Sequence, residues 1–253
     1  MVDQTTSLAH NKSPAEARIN SKFILVALLI ISFSLIAISF VGVVVVNPYS
    51  GNPYTGDPAA ATPTSLAKLI LRFDVVAEGN IPSWFSGAIL LLAAGLLALI
   101  AIDKLRQRER FRYHWVALAV LFTLFSLDEV AYLHEGVSNF MSERSIGPLQ
   151  IGWLIPGALF VILVGLWYVP FVWQLPTPTR RLVITAGAIF LTGALGLEFA
   201  ESLFLDNLDF QDPLVVVSNH LQDLFEMVGA AVFIYALLNY IRRNMYPLRL
   251  LVC

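Results

Sequence analysis

The stretch "GAILLLAAGLLALIAIDKLRQRERFRYHWVALAV", residues 87–120, decides the fold. An uncharged apolar run ends at Ile102, a short segment then carries one Lys and four Arg, and a second apolar run begins at Trp115. A helix that crosses a bilayer needs about 20 apolar residues, and loops on the cytoplasmic side carry an excess of Lys and Arg. The pattern predicts two membrane-spanning helices joined by a short cytoplasmic turn.

The whole chain has the composition of a polytopic membrane protein. Hydrophobic residues make up 57% of its 253 residues and charged residues only 13%, against about 25% charged residues in soluble domains. None of the long apolar runs alternates with polar residues as the strands of a membrane barrel do. We therefore predict an all-α bundle of six transmembrane helices, over Phe23–Val46, Trp84–Ile102, Trp115–His134, Ile151–Trp173, Leu182–Leu205 and Leu214–Ile241.

The distribution of charge predicts the orientation of this bundle. Basic residues are concentrated before the first span and after the second, fourth and sixth spans, whereas acidic residues dominate the other loops. The positive-inside rule then places both termini in the cytoplasm. We divide the chain into a polar leader (1–22), a six-helix membrane domain (23–241) and a cytoplasmic tail (242–253). A long first run after a polar leader predicts a retained helix, not a cleaved signal peptide.

The net charge of −2 gives no indication of nucleic-acid binding, and the only cysteine, Cys253, excludes a disulfide within one chain. The expected partners are membrane lipids; the sequence leaves the oligomeric state open. The outer loop, residues 47–80, contains apolar residues at helical spacing: Leu66, Leu69, Ile70, Phe73, Val76 and Ala77. This spacing predicts an amphipathic helix that lies on the outer membrane surface.

Acidic residues recur at one depth of the bundle. Counted at 1.5 Å per residue from the Arg that bounds each span, Asp128, Glu198 and Glu226 all lie about 24 to 26 Å from the cytoplasmic side. His134, Glu201 and His220 lie about 30 to 33 Å from it, with Asp223 between the two levels. Ionisable side chains inside membrane spans face the bundle interior and mark functional sites. We therefore predict one cluster on the third, fifth and sixth helices, facing the outer side of the cell membrane.

Small residues beside this cluster predict close packing of the fifth and sixth helices. Gly193 and Gly196 precede Glu198, and Gly229, Ala230 and Ala231 follow Glu226. Such residues allow the backbones of membrane helices to approach each other.

So many carboxylates in one place require compensation, either by bound protons or by metal ions. The metal hypothesis predicts one or two divalent ions, of iron, manganese or zinc, held by carboxylates and imidazoles. The candidate ligands are Asp128, Glu129, His134, Glu135, Glu198, Glu201, His220, Asp223 and Glu226. Of these, Asp128, Glu198 and Glu226 are the candidate catalytic residues. The enzyme would hydrolyse or oxidise a lipid or lipid-linked substrate. The paired Glu-x-x-His motifs of di-iron bundles do not occur in the chain.

Two other classes of function stay open. The acids could bind protons or cations transiently in a membrane transporter, although the inner halves of the spans offer few polar side chains for a pathway. Alternatively, the protein has a structural or partner-binding role, and some acids only cap helix ends. The outer start of the sixth helix suits that role, because the helix dipole there favours negative charge, and the residues concerned are His220, Asp223 and Asp212. The same explanation fails at helix C-terminal ends, where negative charge is unfavourable and where Asp128, Glu135, Glu198 and Glu201 lie.

Overall fold

The computed structural model describes residues 20–46, 65–75, 79–131, 133, 154–204, 208 and 212–245. These residues form helices, with no strand among them: α1 (Ser21–Val46), α2 (Ser65–Ile70), α3 (Ile81–Arg106), α4 (Arg112–Ala131), α5 (Leu154–Gln174), α6 (Thr177–Leu191), a π-helical segment (Thr192–Leu197), α7 (Glu198–Phe204) and α8 (Pro213–Asn244). The all-α class is confirmed.

Six helices in the described part of the chain are long and apolar enough to cross a membrane. They are α1, α3, α4, α5, the continuous unit from α6 to α7, and α8. This fold is compatible with the predicted multi-pass membrane protein, while the location of the termini stays a prediction. Helix boundaries differ by a few residues from those predicted, because polar residues cap helices beyond their apolar runs.

Two helix starts show this effect. Asn80 caps α3 by accepting a hydrogen bond from the Ser83 N–H at 3.1 Å, and Pro82 fits the first turn, where its missing N–H costs nothing. Gly79 takes a positive φ of 71°, which allows the turn before the cap. Asp212 caps α8 by accepting from the Leu214 N–H at 2.8 Å. The structural role expected for Asp212 is therefore present.

Helices α3 and α8 form the centre of the bundle, since about half of each span is buried, whereas only a small share of each other span is buried. Leu97 and Ile100 of α3 and Ile234 and Leu237 of α8 are completely buried. Gly229 of α8 meets α6 so closely that an added Cβ would lie 2.7 Å from the Phe190 nitrogen. The predicted close packing of the fifth and sixth spans is confirmed.

The loop before α3 differs in part from its prediction, and two residues of the predicted stripe, Val76 and Ala77, lie outside the described residues. Helix α2 ends at Ile70, and the chain then turns through i to i−3 bonds from the Arg72 and Phe73 N–H groups to the Leu69 and Ile70 carbonyls. Asp74 and Val75 are buried instead of continuing an exposed helix. The turn replaces the helix because it allows residue 75 to reach α1, where the Val75 N–H donates to Ser39 Oγ at 3.0 Å.

Candidate functional site

Five acidic side chains line one cavity in the bundle. We call it the acidic cavity. Its volume is about 370 Å³. The five residues are partly buried and come from three helices, namely Asp128 and Glu129 of α4, Glu198 of α7, and Asp223 and Glu226 of α8. The structure therefore brings together five of the nine predicted site residues.

The Glu226 carboxyl group lies within electrostatic range of the other four acids. Like charges repel strongly in a poorly hydrated site, so this arrangement requires protons, hydrogen-bond donors or cations nearby. Asp128, Glu129, Glu198 and Asp223 each have further interactions with neighbouring groups.

The remaining lining combines oxygen-bearing and apolar side chains. Ser83 and Ser86 of α3 and the amides Asn219 and Gln222 of α8 add neutral polar groups. The apolar part of the lining includes Leu90, Phe125, Phe160, Phe190, Leu195 and Met227. Among the described lining residues, no imidazole, thiol, Lys or Arg is present. The polar groups that the described lining offers to a ligand are therefore carboxylates, hydroxyls and two amides.

Glu201 supports the cavity from one side. Its Oε2 atom accepts a hydrogen bond from Gln222 Nε2 at 2.8 Å. Asn219, with its amide oriented to satisfy both partners, donates to the two carboxylate oxygens at 2.9 and 3.2 Å. Glu201 is therefore a bridge between α7 and α8 and does not line the cavity. The sequence reasoning missed these two amides, although Asn219, Gln222, Asp223 and Glu226 follow the i, i+3, i+4, i+7 pattern of one helix face.

His220 lies outside the acidic cavity, on the side of α8 that faces α1. Its Nδ1 donates to the Val216 carbonyl at 2.7 Å, which leaves Nε2 to accept from Ser39 Oγ at 2.9 Å. Ser39 in turn accepts from the Val75 N–H. His220 and Ser39 are both buried. Both ring nitrogens are thus occupied by protein partners, and the structure does not bring this histidine together with the five acids.

Two predicted ligands, His134 and Glu135, lie outside the described residues. Within the described part of the chain, no three His, Cys, Asp or Glu side chains have the arrangement of a metal site. The predicted metal ligation and the catalytic roles of Asp128, Glu198 and Glu226 stay predictions.

The helix that carries Glu198 reaches the cavity through the π-helical segment. Gly193 in this segment is buried against α8, and an added Cβ would lie 2.6 Å from the Gln222 carbonyl oxygen. Single π turns inside α-helices occur often at functional sites. No feature of the sequence alone distinguishes this turn from a regular helix that contains two glycines.

The opposite end of the bundle contains a second group of polar residues. Lys104 of α3 is buried, with Nζ 2.7 Å from Glu109 Oε1 and 5.6 Å from the ring centroid of Tyr240. His114 of α4 stacks against Trp167 and Phe171 of α5. Each group joins neighbouring helices, and neither lines a cavity described here. The side chain of Lys104 therefore packs inside the bundle.

Comparisons with known proteins give a family and no function. No curated protein and no solved structure matches the chain. A sequence model described as a domain of unknown function, DUF8692, matches residues 23–241, from the start of the first predicted span to the end of the sixth. This match covers most of the chain, so the protein belongs to the DUF8692 family.

Proposed function

We propose that this membrane protein binds a divalent cation in the acidic cavity and uses it on a lipid-like substrate. The observation that carries the proposal is the convergence of five carboxylates from α4, α7 and α8 on one cavity. Acidic side chains in membrane spans are costly and are retained where they serve a function. A divalent cation would compensate the repulsion among them.

The lining points to a hard cation. Carboxylate, amide and hydroxyl oxygens are the ligands that Mg²⁺, Ca²⁺ and Mn²⁺ prefer, whereas zinc and iron sites in proteins commonly include His or Cys. Mg²⁺ in particular keeps several of its waters and binds through one or two carboxylates. A hydrated ion therefore suits a cavity of about 370 Å³ whose carboxylates are not gathered into a single ligand cage.

The size of the cavity also leaves space for part of a substrate. Small-molecule pockets occupy roughly 300 to 1,000 Å³ and combine apolar walls with a few polar groups. The acidic cavity has apolar walls from Phe125, Phe160 and Phe190 beside its carboxylates. We propose hydrolysis of a lipid-like molecule, since a bound divalent ion can activate water and polarise a phosphoryl or carbonyl oxygen. Oxidation, the alternative reaction, would need a redox-active ion in the same site.

The packing below the cavity favours this one-sided site over a transport pathway. Leu97, Ile100, Ile234 and Leu237 fill the centre of the bundle without exposed surface. An ion that entered the cavity would find no described route past these side chains in this conformation. Together with the positive-inside pattern, this arrangement supports a site that opens toward the outer side of the membrane, with both termini cytoplasmic.

The cation proposal can be tested by thermal unfolding of detergent-purified protein in chelator and in Mg²⁺, Ca²⁺, Mn²⁺ or Zn²⁺. An ion at about 100 times its dissociation constant stabilises the folded state by about 2.7 kcal/mol, which corresponds to a rise in melting temperature of roughly 5 to 10 °C. We expect this rise with a hard cation in the wild type and its loss in Asp128→Asn/Glu226→Gln.

The matched control is Asp212→Asn. It removes one acid from the start of α8 but keeps the cap, because asparagine caps helices as well as aspartate does. This variant should keep the full cation-dependent shift. A shift that disappears equally in the control, or that is absent in the wild type for every ion, would contradict the proposal.

The orientation is tested separately with reporter fusions. A cytoplasmic reporter after Arg112 or after Arg243 should be active, and the same reporter within residues 47–64 should be inactive. Activity of the loop fusion would place the acidic cavity on the cytoplasmic side.

A further inference from the structure

The fifth span changes its hydrogen-bond register directly before it enters the acidic cavity. Regular helix α6 gives way to the π-helical segment Thr192–Leu197, and regular helix resumes with Glu198. The Thr192 hydroxyl donates to the Ala188 carbonyl at 2.8 Å at the start of the segment. A π turn holds about one residue more than an α turn, so the residues after it are rotated relative to a continuous α-helix.

The contacts with α8 show the size of this rotation. Gly193 lies against the Gln222 carbonyl oxygen, and Glu201, eight residues later, accepts a hydrogen bond from Gln222 Nε2. Residues eight apart point about 80° apart around a regular α-helix. The π turn removes most of this difference, which allows both residues to face the same part of α8.

The two glycines of the segment have different surroundings. A Cβ on Gly193 would lie 2.6 Å from the Gln222 carbonyl oxygen and 3.1 Å from Glu226 Cγ. A Cβ on Gly196 would meet only atoms of its own helix, at 3.7 Å or more. Gly193 therefore permits the close approach to α8, and Gly196 does not contribute to it.

We propose that the π-helical segment is the device that turns Glu198 toward α8, with Gly193 as the positioning residue that seats the segment there. In a continuous α-helix from Thr177, the direction now taken by Glu198 would be taken by Leu197, because removal of one extra residue advances the register by one position. The cavity would then present an apolar side chain to Asp223 and Glu226. The inference concerns the site of the proposed cation, but its test measures geometry and does not depend on cation binding.

The register is tested with pairs of cysteines in a Cys253→Ser background, treated with a short bridging reagent. Glu198→Cys with Glu226→Cys should crosslink α7 to α8, and Leu197→Cys with Glu226→Cys should not. A control pair, Phe122→Cys with Phe233→Cys, should crosslink in every folded variant, since these two rings of α4 and α8 stack at 4.7 Å. Crosslinking through position 197 and not through 198 would overturn the proposal.

The role of Gly193 is tested by adding one methyl group. Gly193→Ala should abolish the 198–226 crosslink while the 122–233 crosslink persists, because the new Cβ forces the segment away from α8. Gly196→Ala should retain both crosslinks. A Gly193→Ala protein that keeps the 198–226 crosslink would show that this glycine does not position Glu198. If Gly193→Ala does not fold, the two register pairs in the unaltered backbone still decide the proposal. If the register is as proposed but no cation binds, the cation proposal alone fails.

Discussion

Charged side chains have different surroundings at the two ends of the bundle. At one end, five carboxylates from α4, α7 and α8 line an open space. At the other end, charged groups are held against specific neighbours: Lys104 binds Glu109, and Arg242 donates to Asn239 Oδ1 at 3.0 Å, the same oxygen that accepts from Ser21. The ends are separated by a layer of completely buried leucine and isoleucine.

The contrast is one between charged groups that take part in close packing at one end and acids that border an open space at the other. Lys104, Asn239 and their neighbours join the ends of α1, α3, α4 and α8 and leave no described cavity beside them. The acids at the opposite end surround about 370 Å³ of space that side chains do not fill. Asp128, Glu129, Glu198 and Asp223 also interact with neighbouring groups, and the cation proposed above would occupy, with its water, the space beside them.

The largest expected effect separates the packed layer from the cavity wall. Leu97 and Leu90 lie seven residues apart on one face of α3; Leu97 is completely buried, and Leu90 lines the cavity. Leu97→Ala should lower the free energy of unfolding by about 2 to 5 kcal/mol. Leu90→Ala should cost less, because it enlarges a space that already exists. Free energies of unfolding can be measured by denaturant titration. Equal losses in the two variants would show that the cavity wall at Leu90 is packed as tightly as the buried layer at Leu97.

A smaller loss is expected at the basic end. Lys104→Ala removes the partner of Glu109 and the contact with Tyr240. It should lower the free energy of unfolding by about 1 to 3 kcal/mol. This is less than the loss of a fully buried pair, because Glu109 is half exposed. Lys104→Met should recover part of this loss through its apolar chain. If unfolding of both variants matches the wild type, the pairing at this end does not contribute to stability.

His220→Ala distinguishes a structural histidine from a metal ligand. It removes the acceptor of the Ser39 hydroxyl and should cost about 1 to 3 kcal/mol, the penalty for an unsatisfied buried polar group. Ser39→Ala should show a similar loss, since Val75 and His220 both lose their partner. Neither variant should change cation-dependent stabilisation. If His220→Ala lost the cation-dependent stabilisation and Ser39→Ala kept it, His220 would be a ligand of the cation.

The smallest expected effect concerns Asp212. Its replacement by asparagine should change the free energy of unfolding by less than about 0.5 kcal/mol, because both side chains accept the Leu214 N–H. Asp212→Ala should cost about 1 kcal/mol through loss of the cap. If Asp212→Asn were as damaging as Asp212→Ala, the negative charge itself would be important, and the acidic end would extend beyond the cavity.

The sequence was sufficient to predict the helices and most of the acid cluster. Apolar runs of about 20 residues required spans, and counting residues from the basic ends placed Asp128, Glu198 and Glu226 at one level. The depth of a residue along its helix hardly depends on how the helices pack. The predicted common level of these three acids therefore agrees with the cavity that they share. The direction of a side chain around its helix depends instead on neighbouring helices.

Most of the features that were not predicted depend on such neighbours. His220 faces α1 because Ser39 offers its hydroxyl there, and Lys104 turns inward because Glu109 and Tyr240 surround it. The π turn requires close contact between Gly193 and α8. These contacts join residues far apart in sequence, and no local pattern encodes them. Asn219 and Gln222 are different, since their position on the helix face of Asp223 and Glu226 could have identified them.

The central claim, that the acidic cavity binds a divalent cation, is tested most directly by counting bound ions at equilibrium. Mn²⁺ in free solution gives an electron paramagnetic resonance signal that is lost on binding, so titration of purified protein yields both the number of sites and the affinity. We predict saturable binding of one or two ions per chain in the wild type and in Asp212→Asn, and loss of that binding in Asp128→Asn/Glu226→Gln. Wild-type protein that is folded and leaves the Mn²⁺ signal unchanged, with no competition by Ca²⁺ or Mg²⁺ to explain it, would contradict the claim.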